Sequence, residues 1–169
     1  MNIRKITEND VENFYAMMCR LDGETEFMMY EPGEREATTK DLSRLKAAVN
    51  EAVMGNDLLL VAEDDSGALA GCIWAERGRL SRVRHTAYIV VGILEKCRGR
   101  GVGTEFFARV KEWAKLSGIV RLELTVECEN AAAVRLYEKS GFKIEGTRLK
   151  SMKVNGRLRD EYYMGLIIE

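Results

Sequence analysis

The sequence predicts an α/β (α+β) fold, read as a single domain over residues 1–169. Three stretches carry the prediction. In the first, the apolar, β-branched run Tyr88-Ile89-Val90-Val91-Gly92-Ile93-Leu94 leads through Glu95-Lys96-Cys97 into Arg98-Gly99-Arg100-Gly101-Val102-Gly103. A buried strand, a glycine loop and an amphipathic helix succeed one another there, with Val102, Phe106, Val110 and Trp113 at helical spacing. In the second, the alternating strand Arg121–Val126 precedes a helix that opens at Asn130 and closes at Gly141-Phe142. In the third, Asn155-Gly156 joins two strand-like runs, 143–154 and 157–168, as a tight hairpin.

The remaining elements follow in order. Residues 2–6 alternate as an opening strand, and Thr7 to Asp10 is rich in capping residues ahead of a stripe formed by Val11, Phe14, Tyr15 and Met18. Residues 22–36 mix Asp22, Glu24, Glu26, Glu31, Glu34 and Glu36 with Phe27, Met28, Met29, Tyr30 and the only proline, Pro32. This segment has no clear period and reads as a loop or broken helix. Thr38 and Thr39 are placed to cap a helix carrying Leu42, Leu45, Val49 and Val53, which Gly55 ends. Residues 57–63 and 68–76 form a hairpin across Asp64-Asp65-Ser66-Gly67, and Arg77, Arg79, Arg82 and Arg84 make a basic band before His85. The count comes to about six or seven strands and about four helices.

Composition excludes several function classes. Hydrophobic content of 46% with 31% charged residues is that of an ordinary globule, and 169 residues suffice for a proper core. A net charge of −1 gives no support for nucleic-acid or membrane-surface binding, and no apolar run reaches membrane-spanning length. Cys19, Cys72, Cys97 and Cys128 form no CxxC pair, and with one histidine the chain offers no metal site. Scattered thiols fit a reducing, cytoplasmic setting.

The glycine loop points to an anion. The first amides of a helix lack internal partners and the helix dipole adds positive charge there. Glycines let a phosphate approach the backbone, and Arg98 and Arg100 add full charges. The loop lacks the Gly-Lys-Ser/Thr ending of a Walker sequence, since Gly103 is followed by Thr104-Glu105. It also reads GxGxG from Gly99 to Gly103, where a dinucleotide fingerprint needs GxGxxG.

The string Arg98-x-x-Gly101-x-Gly103 instead resembles the pyrophosphate loop of the GNAT superfamily of N-acetyltransferases, which use acetyl-coenzyme A. Asn130-Ala-Ala-Ala-Val-Arg-Leu-Tyr137-Glu-Lys-Ser-Gly141-Phe142 resembles that superfamily's second signature, and the two together cover about residues 82–145. The ending Asn155-Gly156-Arg157-Leu-Arg-Asp160-Glu161-Tyr-Tyr-Met164 is loosely similar to members acting on polyamines or protein N-termini. The resemblance implies a central mixed, mostly antiparallel sheet that splays at a coenzyme cleft, between the strand ending near Leu94 and strand 121–126. It implies that Val91, Gly92 and Ile93 offer backbone hydrogen bonds to pantetheine. Arg98, Gly99, Arg100, Gly101, Val102, Gly103 and Thr104 then hold the diphosphate, with Asn130 and Tyr137 also touching the coenzyme. A strand glycine at position 92 suits close backbone approach or a bulge.

The implied reaction is direct attack of a primary amine on the thioester in a ternary complex, the amine belonging to a cationic small molecule or a peptide N-terminus. The Ile93 amide is the candidate donor to the oxyanion, and Tyr137 the candidate acid for the leaving thiolate. The general base stays open among His85, Glu123, Asp160, Glu161, the acids of 22–36 and water. Also left open are a non-catalytic acyl-coenzyme-A sensor of the same fold, self-association as a homodimer, and acyl groups other than acetyl.

Overall fold

Seven strands and five α-helices run along the chain in a computed structural model that describes all 169 residues, Met1–Glu169. The strands are β1 (Asn2–Lys5), β2 (Leu58–Glu63), β3 (Leu69–Arg77), β4 (Thr86–Ile93), β5 (Arg121–Glu127), β6 (Lys143–Val154) and β7 (Arg157–Ile167). The helices are α1 (Val11–Glu24), α2 (Glu34–Thr38), α3 (Ser43–Val53), α4 (Val102–Ser117) and α5 (Ala131–Lys139). The strand order is β1-β2-β3-β4-β5-β7-β6. β4 and β5 pair in parallel, whereas β1–β2, β2–β3, β5–β7 and β6–β7 are antiparallel, so the sheet is mixed and mostly antiparallel as expected.

Two local expectations shift. The acidic segment is not loop throughout: α1 continues to Glu24, and a short helix, α2, is the one beyond the expected four. Thr38 and Thr39 close α2 rather than cap α3, whose first turn instead receives Asp41 Oδ1 on the Ser43 amide at 2.8 Å.

Contacts gather the chain into two compact units, Met1–Glu76 with Val90–Phe106, and Arg77–Ile89 with Phe107–Glu169. In the first, Phe14, Met17 and Leu21 of α1, Val49 of α3, Leu59 and Val61 of β2, and Cys72 of β3 build one buried cluster. The helical spacing of the α1 residues and the period-2 alternation of the strands place them on facing surfaces. The last turn of α1 carries more than apolar contact. Asp22 is 0% exposed and holds Arg35 through two hydrogen bonds of 2.5 and 3.0 Å, with Arg35 lying 4.3 Å over the Tyr30 ring. Glu24 accepts from the Glu95 amide at 2.7 Å and from Arg20 at 2.8 Å.

A leucine gives Gly92 a further reason for being glycine. A Cβ there would stand 2.8 Å from Leu21 Cδ1 and 3.7 Å from Met28 Cε. The strand leaves room there for a buried leucine.

In the second unit Leu122, Leu124 and Val126 of β5 bury one face of the strand, and Phe107 of α4 meets Tyr137 and Phe142 edge-on at 5.6 and 5.5 Å. α5 ends in the expected left-handed glycine, with Gly141 at φ +101° and the Phe142 amide returning to the Tyr137 carbonyl at 3.0 Å. The β6–β7 turn sets Asn155 and Gly156 at φ 49° and 78°, the pair of positive values that a type I′ hairpin turn requires.

The fit at Gly92 is testable. Gly92→Ala should cost about 1–3 kcal/mol in urea unfolding, because the added methyl overpacks Leu21. Combining it with Leu21→Ala should give a loss clearly smaller than the sum of the two single losses; strict additivity would show that the two side chains do not compete for that space.

Candidate functional site

The glycine loop lies in the first unit and is built by backbone conformation. Gly99 and Gly101 take φ +73° and +81°, values that residues with a Cβ rarely adopt, and nothing lies within 4 Å of a Cβ built on either. The Glu105 amide returns to the Gly101 carbonyl at 3.1 Å, so Gly101 stands at the cap position of α4. The amides of Val102, Gly103 and Thr104 then fall in the first helical turn, where no intrahelical acceptor exists. Open space, unspent donors and a helix dipole meet in one loop, the physical requirements for an anion.

The charged side chains near the loop are partly committed. Arg98 Nε donates to the Ile93 carbonyl at 2.8 Å, tying the loop back to β4. Lys96 pairs with Asp64, whose carboxyl is thereby held well below the usual range, while Arg100 stands 3.9 Å from Asp65 with both side chains exposed.

β4 presents its backbone in alternation. The Leu94 amide donates to the Ala70 carbonyl of β3 at 2.9 Å. By the two-residue period Gly92 turns its polar groups the same way, and Val91 and Ile93 turn theirs away from β3. Of the three residues expected to offer backbone bonds, Val91 and Ile93 therefore have the outward orientation and Gly92 does not.

In the second unit Tyr137 is 7% exposed within the aromatic trio. Burial, with a lesser contribution from Tyr88, pushes its phenol well above the ordinary tyrosine value. Asn130 caps α5, its side chain accepting from the Ala133 amide at 3.2 Å.

The base candidates are all engaged elsewhere or exposed. His85 is exposed in the turn before β4 and its carbonyl receives the Val120 and Arg121 amides. Glu123 pairs with Arg121 at 2.8 Å, Asp160 takes the Lys150 amide at 2.7 Å, and Glu161 takes Arg148 at 3.1 Å. Of the 22–36 acids, Asp22 and Glu24 serve the fold as described above. The basic band is a turn in which Arg77 Nε reaches the Arg84 carbonyl at 2.8 Å.

Sequence reasoning missed two groups. Tyr88 donates or accepts with Thr125 at 2.8 Å, on the face of β5 opposite its apolar one. Glu127, on the same face, is 5% exposed and bonded to Arg159 at 3.0 Å. Alternation along Arg121–Glu127 foretells the face but not the burial. No three His, Cys, Asp or Glu side chains gather to hold a metal ion, and burial raises the thiols of Cys19, Cys72 and Cys128, so none of these is primed as a nucleophile.

A mixed seven-stranded sheet with an open, left-handed glycine loop at the head of α4 is the scaffold of an anion-binding α/β protein. Residues 17–142 match the sequence profile of the acetyltransferase (GNAT) family, and the chain belongs to that family. Its sequence is 31% identical over 105 residues to the L-amino acid N-acetyltransferase AaaT of Escherichia coli (strain K12), covering 60% of this chain and 63% of that protein. It is 36% identical over 85 residues to a mycothiol acetyltransferase of Beutenbergia cavernae, covering 50% of this chain and 28% of that protein. The matches thus span less than two thirds of these curated relatives' lengths. A solved acetyltransferase of the GNAT family from Streptococcus pneumoniae superposes with a TM-score of 0.91 over 99% of both chains at 29% identity.

The dual position of Asn130 gives a check on its local role. Asn130→Ala should lower stability by about 1 kcal/mol through the lost cap, and Asn130→Asp should largely preserve it. Equal stability of the Ala variant in urea unfolding would leave the cap without energetic weight.

Proposed function

We propose that this chain is an N-acetyltransferase, acting as one domain over residues 1–169, that moves the acetyl group of acetyl-coenzyme A onto a primary amine by direct attack. The observation that carries the reading is the loop at Gly99 and Gly101, left-handed and open where a Cβ would stand. It fits a diphosphate, which the amides of Gly99 to Thr104 and the guanidinium groups of Arg98 and Arg100 would hold. Val91 and Ile93 have the backbone orientation to bond an extended amide-bearing arm such as pantetheine. The coenzyme supplies a thioester, an acyl group already activated toward amines.

The chain's own residues do the rest. The Ile93 amide would receive the oxygen that gains charge as the amine adds to the carbonyl. As the C–S bond breaks, the sulfur needs a proton, and the Tyr137 hydroxyl is the candidate source. The burial that raises this phenol keeps its proton in place at working pH, and the same dry surroundings disfavour a charged thiolate. The amine's own proton leaves through water, since the carboxylates near the sheet are committed to arginines or amides. The acceptor is a small cationic amine or a peptide N-terminus. Free cysteines suit a cytoplasmic setting.

The defining experiment is an acceptor screen that follows thiol release from acetyl-coenzyme A over diamines, amino acids and N-terminal peptides. Release with no member of the panel would sink the catalytic reading and leave the acyl-coenzyme-A sensor. Gly101→Val should remove coenzyme binding in calorimetry while circular dichroism stays native, because the loop must leave its left-handed conformation. Unchanged affinity in a folded variant would end the cradle assignment. Tyr137→Phe should lower kcat by roughly a hundredfold with little change in coenzyme affinity. Because the phenol is raised, the wild-type kcat profile should show no falling limb from this residue around pH ~10; a limb there that the Phe variant lacks would place an ionising Tyr137 in the profile.

A further inference from the structure

Two exposed patches of the chain match each other in charge and in apolar content. The first is the turn before β4, in the second unit. From Arg77 to Leu94 the chain carries four arginines and neither Asp nor Glu. Arg77 and Arg79 have partners within the chain. Arg82 and Arg84 are exposed, and their guanidinium groups enter no ion pair. Leu80 and Val83 stand beside them, 75% and 43% exposed. The turn is firmly folded. The Val83 amide bonds the Leu80 carbonyl at 2.9 Å, and a Cβ at Gly78 would stand 2.1 Å from the Val83 oxygen.

The second patch joins α1 to α2, in the first unit. From Asp22 to Thr39 the chain carries six acids and one base. Arg35 is spent on Asp22, and Arg20 on Glu24, which leaves Glu31, Glu34 and Glu36 without a basic partner. Phe27 and Met29 stand beside them, 37% and 71% exposed. This segment is also folded in advance: the Glu31 amide bonds Glu34 Oε2 at 2.9 Å, and the Glu34 amide bonds the Glu31 carbonyl at 3.0 Å. The β6–β7 hairpin is basic too, at Lys150, Lys153 and Arg157, but Glu145, Asp160 and Glu161 are interleaved with that charge.

We propose that the turn at Arg82 and Arg84 of one copy docks on the Glu31–Glu34 segment of a second copy of this chain. Guanidinium groups with unspent donors fit carboxylates in planar, two-bond pairs. The exposed apolar residues on both sides exclude water from those pairs. Both surfaces are ordered before they meet, so little ordering entropy opposes the contact. Turn meets segment, because like patches repel, and the contact is therefore heterologous. Its small area places it among weak, salt-sensitive associations. The contact stands apart from the acetyl-transfer reading.

The test is sedimentation of the full chain. At about 0.01 M salt, where charges act over about 30 Å, wild-type protein at about 100 µM should sediment as more than one copy. At about 0.15 M salt its dissociation constant should rise about tenfold or more. Arg82→Glu/Arg84→Glu should weaken association more than about tenfold, and so should Glu31→Lys/Glu34→Lys, since each gives both patches one sign. An equal mixture of the two variants should associate again, because each presents the sign the other lacks. Lys153→Glu/Arg157→Glu changes the net charge as the turn variant does and should associate like wild type. A single-copy wild type at low salt overturns the contact, and so does one that instead binds vesicles of anionic lipid. Association that ignores salt, survives either reversal or is lost in the hairpin variant overturns it as well. Should the segment variant fail to fold because Glu34 no longer receives the Glu31 amide, Glu31→Lys alone is read in the same way, with a loss of about threefold or more.

Discussion

The contact of Leu21 with Gly92 sets the geometry of the first unit. A leucine with 1% of its surface exposed occupies the volume where the Cβ of position 92 would stand. Interiors pack at crystal-like density, so this contact fixes how close α1 lies to β4. The next residues of the helix reinforce it. Asp22 clamps Arg35, and Glu24 receives the Glu95 amide two residues past the strand end. With the end of β4 held, the alternation of its backbone is held too, and with it the outward amides of Val91 and Ile93. Arg98 closes the circuit by bonding the Ile93 carbonyl, so the glycine loop departs from a fixed point. The acids that look in the sequence like a solvated cluster are, at positions 22 and 24, parts of this brace. Removing one partner of the Asp22–Arg35 pair would leave an uncompensated charge in a dry place, which typically costs about 3–5 kcal/mol.

The second unit organises charge instead of shape. Its apolar face is closed by aromatic edges, with Phe107 set against both Tyr137 and Phe142. Its polar face is laid out in ion pairs, Arg121 with Glu123 of its own strand and with Glu145 of β6, and across strands Arg148 with Glu161 and Arg159 with Glu127. Exposed pairs of this type contribute little to stability because water already serves both charges. The pairs at Glu161 and Glu127 differ, since those carboxylates are 6% and 5% exposed. Their desolvation has to be met by partners with good geometry, and at Glu127 only one oxygen has such a partner.

Backbone-determined features were legible in the sequence. Gly99, Gly101, Gly141 and Asn155-Gly156 all take positive φ, a conformation that few residue types accept, so composition alone marks these turns. Asn130 announces its cap for a similar reason: few side chains can bond an amide three residues ahead. The features that stayed hidden depend on distant partners. Asp22 is buried because Arg35 lies thirteen residues further on, and nothing in an acidic run distinguishes the one acid that finds a guanidinium. Glu127 is buried because Arg159, thirty-two residues away, crosses from β7. Gly92 is legible as unusual in a strand, but the leucine that its missing Cβ makes room for sits in a helix seventy-one residues earlier.

The same division bears on how such a chain can change. A loop that binds through amides asks of its sequence only that glycine occupy positions 99 and 101 and that a helix follow. Side-chain recognition has no such tolerance. Glu127 and Glu129 both reach Arg159, and changing either residue alters the local charge around that guanidinium. Glu129 is 67% exposed at its side chain, so replacing it disturbs little packing, whereas Glu127 is embedded and its replacement must keep its shape. Side-chain charge can therefore change at position 129 while the backbone of the glycine loop stays fixed, because the two depend on different kinds of atoms.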